Sequence, residues 1–289
     1  MNAEATQTGL TNQDNQEVRY HVRFSLWQRY LHAIVIVTFL GLALTGLPLR
    51  FSRSVWGAAF ARIVGGFSAI LFFHELCAVV LTVAFLTHLG DVTYRGLLKR
   101  QKGIFWGPNS LVPQLKDLND LYGHLRWFLW LGPRPKLDRF AYWEKFDYWA
   151  VFWGMAIIGI SGYAMWFAPF FAKFVPGSWL NIALLIHGEE ALLAVWFIFA
   201  IHFFNTHLRP GNFPMDLVMF TGMETERELR EKHPQQYQRM LEEGNLRLTA
   251  IGPSRWLKIF GRTVGWVIIL AGFVLLWLTL TSFFRTSGT

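Results

Sequence analysis

The stretch from Leu184 to Pro210, LLIHGEEALLAVWFIFAIHFFNTHLRP, is apolar and long enough to cross a bilayer, yet it carries three histidines, His187, His202 and His207. His187 and His202 are 15 residues apart, about 22 Å along an α-helix and about 60° around it. Two imidazoles therefore share one helix face, one toward each membrane surface. An earlier segment, FFHELCAVVLTVAFLTHLGD, repeats the arrangement, with His74 and His88 14 residues apart, about 21 Å along and about 40° around. Ionisable side chains in hydrocarbon are costly and mark function. One such histidine would read as a packing residue; four at two matched depths predict two layers of bis-histidine ligation, for which planar haem is the fitting ligand.

The elements that must hold these residues are membrane spans. The chain of 289 residues is 53% hydrophobic and 17% aromatic, with 14 Trp and 27 Phe, too apolar for an ordinary soluble protein. Apolar runs predict spans at about 30–49, 67–89, 149–167, 180–204 and 263–284, each near the length a bilayer requires. His32 lies in the first turns of the first span. The N-terminal tail, about residues 1–20, is polar without a cleavable signal pattern, so the first span is expected to be retained. Of the 27 Lys and Arg, 22 fall in the tail, the 89–148 loop and the 205–262 loop, which places those segments in the cytoplasm. The reading is an all-α membrane protein of five crossings, N-terminus inside and C-terminus outside, with His74 and His187 toward the outer face and His32, His88 and His202 toward the inner.

The net charge of +8 sits in loops flanking the spans, where it signals topology rather than nucleic-acid binding. The lone Cys77 gives no intrachain disulfide and no Cys-x-x-Cys-His attachment motif, so haem would be held noncovalently; the residue itself reads as core filling. Small residues that would admit a wide ring are Gly41, Thr45, Gly46, Gly154, Gly159, Gly162 and Gly188. Glu75, Glu189 and Glu190 adjoin the outer histidines, where they would relay protons, bond haem propionates or face headgroups. Arg209 and Asp216, in HLRPGNFPMD, would handle a quinone headgroup or form a helix-terminating turn. His21, His124 and His233 lie in polar or interfacial stretches and read as ordinary residues. Residues 111–130 predict a helix along the membrane surface, and 223–244 short solvent-exposed helices broken at Pro234.

The segments RFSLWQRYLHAIVIVTFLGLALTGLPLRF, YWEKFDYWAVFWG and HGEEALLAVWFIFAIHFFNTHLRPGNFPMD resemble the cytochrome b subunits of formate dehydrogenases and nickel-iron hydrogenases, related to bacterial cytochrome b561, and the formate dehydrogenase gamma-like branch in particular. The resemblance covers about residues 20–220; the charged segment at 221–262 and the fifth span lie outside it. It implies a four-helix haem bundle, here with an added fifth helix, exchanging electrons between the quinone pool, menaquinone or ubiquinone, and a periplasmic or membrane-associated iron-sulfur or multihaem cytochrome subunit. In the bacterial inner membrane such a chain is an electron-transfer subunit of an oxidoreductase complex, with no catalytic residues of its own. The resemblance implies one haem b on His74 and His187 and another on His32 and His202. His88 departs from that pattern and allows a His88–His202 pairing, while His207 with the leftover inner histidine allows a third haem. The rival readings are a membrane anchor with structural haem and a histidine-lined metal transporter.

Overall fold

The computed structural model describes residues 18–286, with side chains to residue 283. After strand β1 (Tyr20–Val22), Ser25 caps helix α1 (Leu26–Arg50), reciprocating hydrogen bonds with Gln28; such boxes satisfy two of the free N–H groups at a helix start. Helix α2 (Val55–Val64), capped by Ser54, fills a segment that apolar periodicity alone leaves as a loop. It ends at Gly65 and Gly66, with φ of 107° and 100°, a left-handed turn open to residues without Cβ that returns the chain into α3 (Phe67–Leu98). Helix α4 (Leu115–Phe128) precedes α5 (Tyr142–Trp166) and α6 (Gly177–Leu208); then come β2 (Met223–Thr225), α7 (Glu226–Lys232), α8 (Pro234–Glu242) and α9 (Arg255–Phe283).

Among the described residues, helices α1, α3, α5, α6 and α9 are the five that are long and apolar enough to cross a membrane. Most extend beyond their apolar runs, α3 to Leu98 and α5 back to Tyr142, because polar flanks remain helical where other residues satisfy them. Lys145, for example, is buried against Asp117 of α4 at 2.8 Å. Four wide π-helical stretches interrupt the regular helices: 94–98 ending α3, 155–159 in α5, and 197–202 and 204–208 in α6. Such turns concentrate at functional sites.

Helix α1 lies along α3, and α5 along α6, with far fewer contacts between the two pairs. Helix α9 packs outside this bundle, burying Ile269, Leu275 and Leu276 with Ala43 and Leu47 of α1 and Leu192, Val195 and Phe199 of α6. Trp56 of α2 donates to Ser282 at 2.8 Å, tying the hairpin to the same helix.

One end of the bundle carries a polar cap. Strands β1 and β2 pair antiparallel, His21 opposite Glu224. Arg23 donates to the Arg139 carbonyl at 2.7 Å and Arg139 donates back to that of Arg23 at 2.8 Å. Arg239 pairs with Asp138 at 2.7 Å, and His233 donates to the Asp138 carbonyl at 2.8 Å. The expectation of short solvent-exposed helices over 223–244 holds for their outer faces, with Arg227, Arg230 and Gln238 exposed, and is corrected for their inner faces. The break at Pro234 is present, but Leu229 and Gln236 are fully buried and His233 nearly so, since α7 and α8 dock their inner faces on the 137–139 segment. His21 and His124 are likewise buried.

Candidate functional site

At the end away from the cap, His74 of α3 and His187 of α6 face one another with ring centroids 6.2 Å apart. Rings at this distance are in ordinary edge contact and are close enough that both imidazoles could reach a single metal. The tautomers agree. Thr45 donates its hydroxyl hydrogen to the Gly41 carbonyl at 2.6 Å, so its oxygen accepts from His74 Nδ1 at 2.9 Å. His187 Nδ1 lies 2.9 Å from the Ile158 carbonyl, which can only accept. Both rings therefore carry hydrogen on Nδ1 and keep a lone pair on Nε2, the state that partners of metal-bound histidines enforce.

Local helix geometry makes these partners available. Ile158 lies in the π turn of α5, where the widened backbone leaves carbonyls to outside donors; Ser161 also donates there at 3.1 Å. A Cβ at Gly46 would lie 3.0 Å from His74 Cε1, and one at Gly162 3.0 Å from His187 Cε1, so each imidazole rests on a glycine of the neighbouring helix. Gly41 instead receives the Cys77 thiol, and Gly188 lies under the Arg50 guanidinium. Gly159 has no neighbour there and Gly154 only its own helix's Ile158. The small residues thus serve three different purposes.

At the capped end, His202 Nδ1 donates to Asp147 of α5 at 2.9 Å, again leaving Nε2 free. His32 of α1 lies within electrostatic reach of both His202 and His207. His207 joins this face through the π turns: five residues span about 140° on an α-helix but return nearly to the same face when hydrogen bonds run i to i+5. Its Nδ1 is buried without a hydrogen bond among the described residues. His88 stands apart. Its Nε2 is 2.8 Å from the Tyr148 hydroxyl, and its charged neighbours are Asp91 and Arg95 rather than another membrane histidine.

Neither a scan against protein-family models nor a search of curated proteins matches the chain. Among the described residues no three or more His, Cys, Asp or Glu side chains converge as a metal-binding group, while His74 and His187 meet in ring contact.

Of the charged residues singled out at the two ends, Glu189, Glu190, Asp216 and Arg209 have partners. Arg50 binds Glu189 at 2.7 Å, and Glu190 accepts from Trp153 at 3.3 Å. Asp216 pairs with Lys232 at 3.1 Å, while the Arg209 guanidinium sits 4.6 Å from the Trp143 ring centre. The residues that periodicity missed are the ones that orient the imidazoles: Asp147, Ile158, Ser161 and Tyr148. Asp147, Tyr148 and Ser161, polar residues on an apolar helix, carried a signal in the sequence, and Ile158 carried none.

Proposed function

We propose that the chain is an integral-membrane b-type cytochrome subunit moving electrons between the quinone pool and a redox partner at the uncapped end. His74 with His187, and His32 with His202, hold two haems. The carrying observation is the 6.2 Å ring separation of His74 and His187, with both Nδ1 hydrogens committed to neighbouring helices. Paired histidines without further converging ligands suit haem, whose porphyrin supplies the remaining coordination, better than a bare transition ion needing three or four side chains. Bound haem supplies one-electron iron chemistry. The protein's part is to fix each imidazole's tautomer, present Nε2 and surround the ring with apolar side chains.

The Lys- and Arg-rich segments build the capped end, a charge distribution that supports reading this end as cytoplasmic and, with five crossings, the C-terminus as lying on the opposite side. The buried, unbonded Nδ1 of His207 and its shared face with His202 favour, as a second reading, a third haem beside the capped-end pair. A dithionite-reduced minus oxidised spectrum with measured haem-to-protein ratio tests both. Two low-spin b-type haems per chain are expected. A ratio of three that falls to two in His207→Ala establishes the second reading, and protein that takes up no haem overturns both.

A further inference from the structure

The polar cap gathers three arginines, Arg23, Arg139 and Arg239, within electrostatic reach of one another. Two of them have carboxylates: Arg239 binds Asp138 at 2.7 Å, and Arg23 lies 3.4 Å from Glu144 and 3.7 Å from Glu224. Charges taken out of water are normally paired, yet Arg139 has no carboxylate within ion-pairing distance among the described residues. Its Nη2 donates to the Arg23 carbonyl at 2.8 Å, a neutral acceptor. Burial lowers this guanidinium to about 10, with Arg23 adding to the shift and Glu224 and Glu144 opposing it from beyond ion-pair distance. The cluster thus holds more positive charge than its own acids answer.

Arg139 and Arg239 line a cavity of about 240 Å³, several times the roughly 30 Å³ that a water molecule occupies. Gln236 and Asn109 belong to the same wall, and Glu243 and Asn245, both exposed, stand at its mouth. None of these residues lies in a membrane span, so the cavity is reached from the aqueous side. Gln236 is 1% exposed; its amide nitrogen faces the Met240 sulfur at 3.7 Å, and its Oε1 has no hydrogen bond among the described residues. The Arg239 Nε is buried without one as well. Guanidinium forks only donate and suit the oxygens of carboxylates and phosphates. The free Gln236 oxygen only accepts, so the complementary guest is an oxyanion that still carries a hydrogen. Near neutral pH phosphate keeps one and sulfate keeps none. We infer that this cavity binds free inorganic phosphate, its oxygens on Arg139 and Arg239 and its P–OH donated to Gln236. The bound anion bridges the 137–139 segment to α8 and neutralises the surplus charge, fastening the cap. Glu243, the one carboxylate on the lining, opposes it, but this side chain is exposed, hydrogen-bonded by Asn245 at 2.7 Å, and screened by salt. The inference is independent of the haem reading.

The test is equilibrium dialysis of radiolabelled phosphate against detergent-purified full chain in chloride buffer, with thermal melting followed on the same samples. The wild type is expected to bind a single phosphate per chain and to melt at a higher temperature with it, sulfate competing about tenfold less well because it leaves the Gln236 oxygen unpaired. Arg139→Gln should weaken phosphate binding by about tenfold or more. Glu243→Gln, an exposed change that removes the opposing charge, should tighten it by about threefold. Should Arg139→Gln fail to fold, Glu243→Gln decides. Absence of saturable binding to the wild type, sulfate competing as well as phosphate, binding undiminished in a folded Arg139→Gln, or affinity no higher in Glu243→Gln would overturn the inference. So would saturable binding of phosphatidic acid in nanodiscs by protein that ignores free phosphate, since the source would then be a lipid headgroup.

Discussion

At the uncapped end His74 and His187 give their Nδ1 hydrogens to a threonine hydroxyl and a backbone carbonyl, both uncharged. At the capped end His202 gives its hydrogen to the Asp147 carboxylate. A carboxylate partner makes an imidazole a stronger electron donor and favours the more positive metal state, here ferric iron. Within the proposed function a haem held by His202 would therefore be the lower-potential centre. The two proposed ligand pairs look equivalent when only their histidines are counted; the atoms behind the histidines separate them.

The largest test of this comparison removes one ligand from each end. His187→Ala and His202→Ala are each expected to leave one haem per chain, and the two remaining haems should differ in midpoint potential, the one retained in His202→Ala being higher. Equal potentials in the two variants would erase the distinction. Next comes Asp147→Asn, which keeps the side chain's shape and removes the charge. Redox titration should show the lower of the two potentials rising, by about 60 mV for each tenfold loss of ferric over ferrous preference, while the upper stays fixed. Thr45→Val, which removes a neutral partner at the other end, should move its haem less.

A smaller effect is expected from Gly162→Ala. The added Cβ would sit 3.0 Å from His187 Cε1 and 3.2 Å from its Nδ1, so the ring must yield by a few tenths of an ångström. That shift weakens the Ile158 hydrogen bond without abolishing it. Haem should be retained at the uncapped end but exchange faster to apomyoglobin, with the capped-end haem unaffected.

The sequence carried the five apolar helices and the histidines within them, because hydropathy and the burial of an ionisable group are local properties of the chain. It carried less about orientation around the helix axis. Both histidine spacings read as regular α-helix, whereas the π stretches at 197–202 and 204–208 depend on packing between helices. The same dependence hid the fate of His88, whose neighbour Tyr148 is 60 residues away. The charged segment after Met223 read as solvated because charge patterning cannot distinguish water from a buried partner such as Asp138 for Arg239. Helix α2 was signalled by Ser54 and by the glycine pair at its end, yet it is too short for its periodicity to stand out.

The test that touches the haems least concerns the cap, the feature present at only one end. Glu224 is 2% exposed, and one of its oxygens lacks a hydrogen bond among the described residues. Burial raises its carboxyl to about 7, outweighing the attraction of Arg23 3.7 Å away. The folded value thus lies above the ordinary 4.5 of the unfolded chain, so the folded state binds the proton more tightly. Its stabilising contribution is full below pH 4.5 and is lost as pH rises through about 7, with an upper limit on the order of 3 kcal/mol. Glu224→Gln, neutral throughout, should melt with the wild type near pH 5 and several degrees above it at pH 8, at unchanged haem content. A Gln variant less stable at pH 8 would mean that the Arg23 ion pair outweighs burial, making the charged carboxylate a fastener of the cap.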